Sequence, residues 1–167
     1  MGNKDEKLLE ILAEKVKACT RCELRQGCSA PVPGLGNPHA KYLLIGEAPG
    51  REEDRAGIPF IGDAGKRLND LLERAGIDPN DCYFSNTVRC RPPKNRDPRK
   101  KELMSCVGFL EEEISTIKPE YIITLGRIPL SLFSPYGIKQ LHGTMMEVDF
   151  EQEVKLKPMQ KLKDKKK

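Results

Sequence analysis

No apolar run among the 167 residues approaches the ~20 that a membrane-spanning helix needs, so a bilayer-embedded role is excluded and no membrane partner is expected. The first residues, MGNKDEKLLE, lack the apolar core of a secretory leader. That makes the cytoplasm the expected compartment. Tryptophan is absent and 32% of residues are charged, the composition of a soluble protein. There is no internal repeat, and the length suits one domain with a sizeable core.

The charge is unevenly spread. Residues 155–167, KLKPMQKLKDKKK, hold seven lysines and one aspartate, so this stretch carries +6 of a net +4 and leaves −2 for everything before it. The body is near neutral, and the basic excess reads as a solvated, disordered tail. The expected division is a domain over 1–154 and a lysine-rich tail over 155–167.

Six cysteines stand out: Cys19, Cys22, Cys28, Cys82, Cys90 and Cys106. In a reducing compartment they are poor disulfide candidates, which leaves ligation of a metal or cluster as the leading use. Cys19-x-x-Cys22 can present two sulfurs to one centre. Cys90 opens the loop RCRPP, and Cys106 lies just inside the next helical stretch. Four thiolates suit zinc or an iron–sulfur cluster. Cys106 also fits a plain core position, and Cys28 and Cys82 read as small core or loop residues.

Apolar periodicity places an amphipathic helix at 5–18 and helices at 66–75, 99–117 and 127–133. The 99–117 helix carries Leu103, Val107, Leu110, Ile114 and Ile117 on one side. Strands are expected at KYLLIG (41–46), CYFSNTV (82–88) and EYIITLG (120–126), with GTMMEVDF (143–150) a further strand and EVKLK (153–157) its partner. Alternating strands and helices predict a parallel sheet with helices on both faces, and ligands in such sheets sit at the carboxyl ends of the strands. Three unusual loops fall there: GEAPG, NTVRCRPP and LGR.

The stretch GEAPGREEDRAGIPFIGDAG (46–65) holds five glycines, two prolines, five acidic residues and one phenylalanine. Taken one at a time its members have plain explanations. Phe60 fits a core residue closing a loop, Asn86 a strand-end turn, Glu47 a solvated side chain, and the arginines of RCRPPKNRDPR a solvated loop.

Together, the cysteine pair, GEAPGREEDRAGIPFIGDAG, SNTVRCRPPKNRDP, the Cys106 helix and YIITLGR resemble the family 4 uracil-DNA glycosylases, from about Cys19 to about Val148. The resemblance implies a three-layer α/β/α fold with a central, mostly parallel four-stranded sheet. It implies DNA repair by hydrolysis of the N-glycosidic bond of uracil in DNA, by a protein acting as a monomer. It implies a [4Fe–4S] cluster held by Cys19, Cys22, Cys90 and Cys106. It places Gly46 and Ala48 in the uracil pocket, Glu47 at the catalytic acidic position, Phe60 stacked on the base and Asn86 reading its edge. The chemistry is consistent with this: an extruded base needs a flat partner, and an amide can match uracil and mismatch cytosine. Arg89, Arg91, Lys94, Arg96 and Arg99 are the expected contacts to DNA phosphates.

One departure stands out. The family carries a His-Pro motif near its C-terminus, and neither His39 nor His142 matches it. Two alignments are open: Lys157-Pro158 stands in its place, with Lys157 a substitute charge, or the motif is missing. A catalytically weak or inactive uracil- and DNA-binding iron–sulfur module is therefore the alternative expectation, and a zinc-stabilised interaction domain a third.

Overall fold

The computed structural model describes residues 2–150 and 153–158. Its centre is β2 (Tyr42–Gly46), which is buried along almost its whole length. It pairs in parallel with β3 (Cys82–Asn86) on one side and β4 (Tyr121–Thr124) on the other. The two-residue β1 (Leu35–Gly36) adds antiparallel to β3, giving the order β1-β3-β2-β4. The chain thus moves outward from β2 first to one side and then to the other. That reversal makes the carboxyl end of β2 the natural crevice of the sheet.

Alternation along β2 sorts side chains between the two faces. Leu43 and Ile45 join Leu9, Leu12 and Val16 of α1 (Gly2–Lys17) and the inner face of α5 (Lys100–Ile117) in the main core. Leu44 turns the other way, to Leu68 and Leu72 of α4 (Asp63–Arg74). The result is the three-layer α/β/α architecture expected. All five residues of the periodic stripe on α5 are buried, and of the α1 stripe Leu8 and Ile11 remain exposed. The start of α5 is fixed by Glu102, whose carboxylate accepts the Arg99 N–H at 2.7 Å and so satisfies an otherwise unpaired donor at the helix end.

Three features depart from expectation. The helix expected from Lys66 starts at Asp63, a favourable acidic residue for a helix N-terminus. Inside the loop 46–65 lies a short helix, α3 (Arg51–Ala56), with Glu52, Glu53 and Asp54 in its first turn and Gly57 at its end. Residues 143–150 and 153–157 form no strands. Met145 is 85% exposed, and neither stretch gains a ladder partner among the described residues, so the fourth strand is β1. The β4 edge is left beside a broad hollow of about 1800 Å³, bounded partly by α1, α5 and residues from 138–150 and 153–155. Leu156 lies on the tail side of the boundary drawn from charge, yet it is buried in the main core, with Phe150 and Val154 packed nearby. The remainder of the lysine-rich stretch, 159–167, lies outside the described residues. Short helices α2 (Leu24–Gly27), α6 (Arg127–Leu130) and α7 (Ile138–Leu141) complete the fold.

A buried ion pair crosses the main core. Arg89 and Glu113 are each about 1% exposed, and two guanidinium nitrogens donate to the two carboxylate oxygens at 2.8 Å. The Ser85 hydroxyl donates to the same carboxylate at 2.6 Å. Deleting one member leaves the other charge buried and unpaired. Glu113→Ala is expected to lower folding stability by about 3–5 kcal/mol, read from denaturant unfolding of the two proteins.

Candidate active site

The carboxyl ends of β2 and β3 are pinned together. Gly46 is the register partner of Asn86. Just beyond the ladder, the Thr87 N–H donates to the Gly46 carbonyl at 3.0 Å, and both the Thr87 hydroxyl and the Val88 N–H donate to the Glu47 carbonyl. The backbone of 46–47 is therefore fixed by β3, and Glu47 is presented from a rigid ledge.

Gly46 is the point on which the expected base-binding residues converge. A Cβ there would lie 2.6 Å from Asn86 Oδ1 and 2.6 Å from Phe60 Cζ. Only a residue without a side chain leaves room for both groups. Asn86 is buried, while Phe60, Glu47 and Ala48 are half-buried and accessible. Phe60 also packs against Phe84, ring centroids 5.9 Å apart and planes tilted 53°, so one neighbour holds the ring while part of it stays open.

Phe60 sits at φ 56°, in the left-handed region that non-glycine residues rarely adopt. Two devices hold it there. The Gly62 N–H donates to Glu53 Oε1 at 2.8 Å, tying the loop back onto α3. A Cβ at Gly65 would lie 1.8 Å from the Phe60 carbonyl oxygen, so helix α4 packs against that carbonyl at a distance only glycine permits. Backbone strain of this kind, about 1–3 kcal/mol, is characteristic of ligand-contacting loops.

Burial pushes the Glu47 carboxyl above its ordinary value, and the Arg127 guanidinium opposes this in part. Arg127 is itself ion-paired with Asp97, which joins the loop after β3 to the loop after β4.

The four cysteines expected to act together do meet. Cys19 and Cys22 from the loop after α1, Cys90 from the loop after β3, and Cys106 from α5 line one small chamber with Val88 and Arg89. Burial pushes the Cys106 thiol up to about 11, against the pull of the Arg89 charge and of the Arg89 backbone N–H that hydrogen-bonds it. Burial also raises Cys90, helped by its neighbours Cys28, Cys106 and Cys22. Among the described residues no three metal-binding side chains are grouped closely enough for a single ion. Zinc and an iron–sulfur cluster both take thiolate ligands. The donor set is all thiol, which suits such a cluster. A second observation favours an occupant: Arg89 Nε is the one buried side-chain nitrogen or oxygen without a hydrogen-bond partner among the described residues, and Arg89 is one of the residues that line this chamber.

The expected phosphate contacts divide. Arg89 is buried against Glu113 and is no DNA contact, because its charge is consumed in the core. Arg96 donates to both oxygens of Glu102 at 2.9 and 2.6 Å and serves mainly to brace the start of α5. Lys94 and Arg99 are exposed, and Arg91 is half-buried with its Nε on Asn95 Oδ1. Lys157 is exposed in an irregular segment.

Sequence reasoning missed several supporting groups. Cys28 hydrogen-bonds Cys90, and its place six residues after Cys22 in the same loop was the available signal. Glu113 sits on the apolar stripe of α5, where an acidic residue already asks for a buried partner. Asp54 is buried and accepts both the N–H and the hydroxyl of Ser29 at 2.9 Å, fastening the cysteine loop to the base loop. Nothing in the sequence singled out that pair.

The sequence model of the uracil DNA glycosylase superfamily matches residues 33–161. The chain belongs to that superfamily. Within it the similarity is to type-4 uracil-DNA glycosylases. The chain is 44% identical over 128 residues to the one from Thermotoga maritima, covering 77% of this chain and 67% of the relative. It is 44% identical over 133 residues to that of Saccharolobus solfataricus (78% and 62%) and 40% identical over 147 residues to that of Archaeoglobus fulgidus (84% and 74%).

The raised Glu47 has a stability consequence. A carboxyl whose folded value lies above its unfolded one takes up protons on folding. Its contribution is then fully present below the unfolded value and is lost as pH rises through the folded one. Glu47→Gln is therefore expected to melt at a higher temperature than the unaltered protein at pH 7 and at the same temperature at pH 4. Paired thermal melts at the two pH values check this.

Proposed function

We propose that the protein excises uracil from DNA, extruding the deoxyuridine and hydrolysing its N-glycosidic bond to leave an abasic site. The observation that carries this reading is the meeting of the Phe60 ring and the Asn86 amide at Gly46, a glycine with no room for a side chain, with Glu47 next to it in the chain. An aromatic face and an edge-reading amide are what a flipped pyrimidine requires. The protein acts as a monomer in the cytoplasm, and none of the described helices is long and apolar enough to cross a membrane.

Phe60 stacks on the base and Asn86 meets its O4 and N3–H edge. Backbone N–H groups of the GEAPG turn, in which Pro49 has none, face O2, where negative charge builds as the bond opens. The bond breaks ahead of water attack, and the Glu47 carboxylate supports the positive charge left on the sugar. Lys94, Arg99 and Arg91 take the phosphates flanking the extruded nucleotide.

Cys19, Cys22, Cys90 and Cys106 hold a [4Fe–4S] cluster. When bound, it would tie together the loop after α1, α5 and the loop after β3, which carries the phosphate contacts.

A labelled oligonucleotide with one uracil, incubated with the protein and then with alkali, is expected to be cut at that position. Asn86→Ala is expected to lower the single-turnover rate by about 10²–10³, the usual loss for one preorganised group. Gly46→Ala is expected to abolish cutting while melting close to the unaltered protein, because the atoms it displaces are side-chain tips. An intact oligonucleotide after long incubation with excess unaltered protein would refute the reading. The rate is also expected to fall on acidification at a pH above the ordinary glutamate value of 4.5, as the Glu47 carboxylate is protonated; a rate–pH profile measures this.

A further inference from the structure

The buried network around Arg89 has one unsatisfied corner. The guanidinium spends two nitrogens on Glu113, each at 2.8 Å, and the carboxylate is held from its other side by the Ser85 hydroxyl at 2.6 Å. The guanidinium is therefore fixed in place, and its third nitrogen, Nε, keeps a hydrogen with no acceptor. Leaving a buried donor unmet costs about 1–3 kcal/mol, more when the group is charged. Arg89 is about 1% exposed, so bulk solvent does not reach it.

The surroundings name the missing acceptor. Arg89 lines the chamber of Cys19, Cys22, Cys90 and Cys106, immediately precedes Cys90 in the chain, and gives its backbone N–H to Cys106. Four of the ten residues that line it are cysteines, so sulfur is an acceptor within the chamber. A cluster held by four thiolates is an anion, and a cation with a free N–H at its wall is the complement it needs. Hydrogen bonds to sulfur are among the main determinants of the reduction potential of such groups.

We propose that Arg89 is a positioning residue for the iron–sulfur group: its Nε–H donates to a sulfur in the four-cysteine chamber, while Glu113 and Ser85 lock the guanidinium in the orientation that allows it. This rests on the cofactor reading given under the proposed function. A lysine cannot replace it, because an ammonium lacks the planar fork that holds Glu113 with one edge and offers a third donor from another.

The test uses the full chain purified without oxygen. Iron and sulfide are assayed, the reduction potential is followed by electron paramagnetic resonance, and the rate of iron loss to a chelator is followed by visible absorption. Two variants remove the donor: Arg89→Lys, and the double variant Arg89→Met with Glu113→Met, in which an apolar pair replaces the ions and tolerates burial. Both are expected to bind iron, to shift to a lower potential and to lose iron about 10-fold faster or more, the usual effect of removing a supporting group behind a metal ligand. Ser85→Ala loosens the same network but keeps Nε, and its potential is expected to match the unaltered protein. Unchanged potential and iron loss in a folded donor-lacking variant would overturn the role of Arg89 and leave the cofactor reading standing. An equal shift in Ser85→Ala would overturn it too, since general loosening would then suffice. Absence of iron and sulfide from the unaltered protein would overturn the cofactor reading and this inference with it.

Discussion

The parallel register of β2 against β3 is the constraint on which the site depends. Gly46 faces Asn86 in that register, and the Thr87 N–H extends the pairing one step beyond the ladder onto the Gly46 carbonyl. Side chains alternate along a strand, so a slip of one residue would carry Asn86 to the opposite face of the sheet. It would also carry Arg89 and Cys90 out of the core. The pattern that fixes the register is apolar: Leu43 and Ile45 toward α1 and α5, Leu44 toward α4. Ordinary core packing therefore sets both the base pocket and the cysteine chamber, with the loop after β3 carrying the pairing from one to the other.

The two regions are joined a second time. Asp54, on the helix inside the base loop, holds Ser29 in the cysteine loop through two bonds of 2.9 Å. Glu53, its neighbour in sequence, holds Gly62 and through it the turn that presents Phe60. Adjacent carboxylates on one helical turn thus face opposite tasks, one fastening the loop that carries the aromatic ring and the other fastening the loop that carries two thiols. Both are buried and both are consumed by hydrogen bonds, so neither is available for chemistry. Glu47 differs: it is half-buried, and its carboxyl makes no hydrogen bond among those found in the described residues.

Much of this was legible in the sequence. Strands 41–46, 82–88 and 120–126 and the stripe on α5 follow from apolar spacing, and each has its counterpart at nearly the expected bounds. Three loops at the same end of a parallel sheet pointed to the region of the site, and the family resemblance, not the topology, pointed to Gly46, Phe60 and Asn86 within it. The failures have physical causes. Arg89 looked like one more cation in a basic loop, because the burial of a charge depends on a partner 24 residues away on another element. Residues 143–150 alternate well enough for a strand, but periodicity does not establish pairing, and they form no ladder with the open β4 edge. Leu156 sits between lysines, and charge averaged over the segment hid a single core residue.

The contact between Gly65 and the Phe60 carbonyl has a consequence for how such a protein can change over generations. The oxygen occupies the volume that any side chain at 65 would need, and it is main chain, so it cannot swing aside. Position 65 is therefore held to glycine for as long as the turn at 60 keeps its path, whatever side chain that turn presents. A lineage moving toward a different base can change the ring at 60 but must leave residue 65 as it stands.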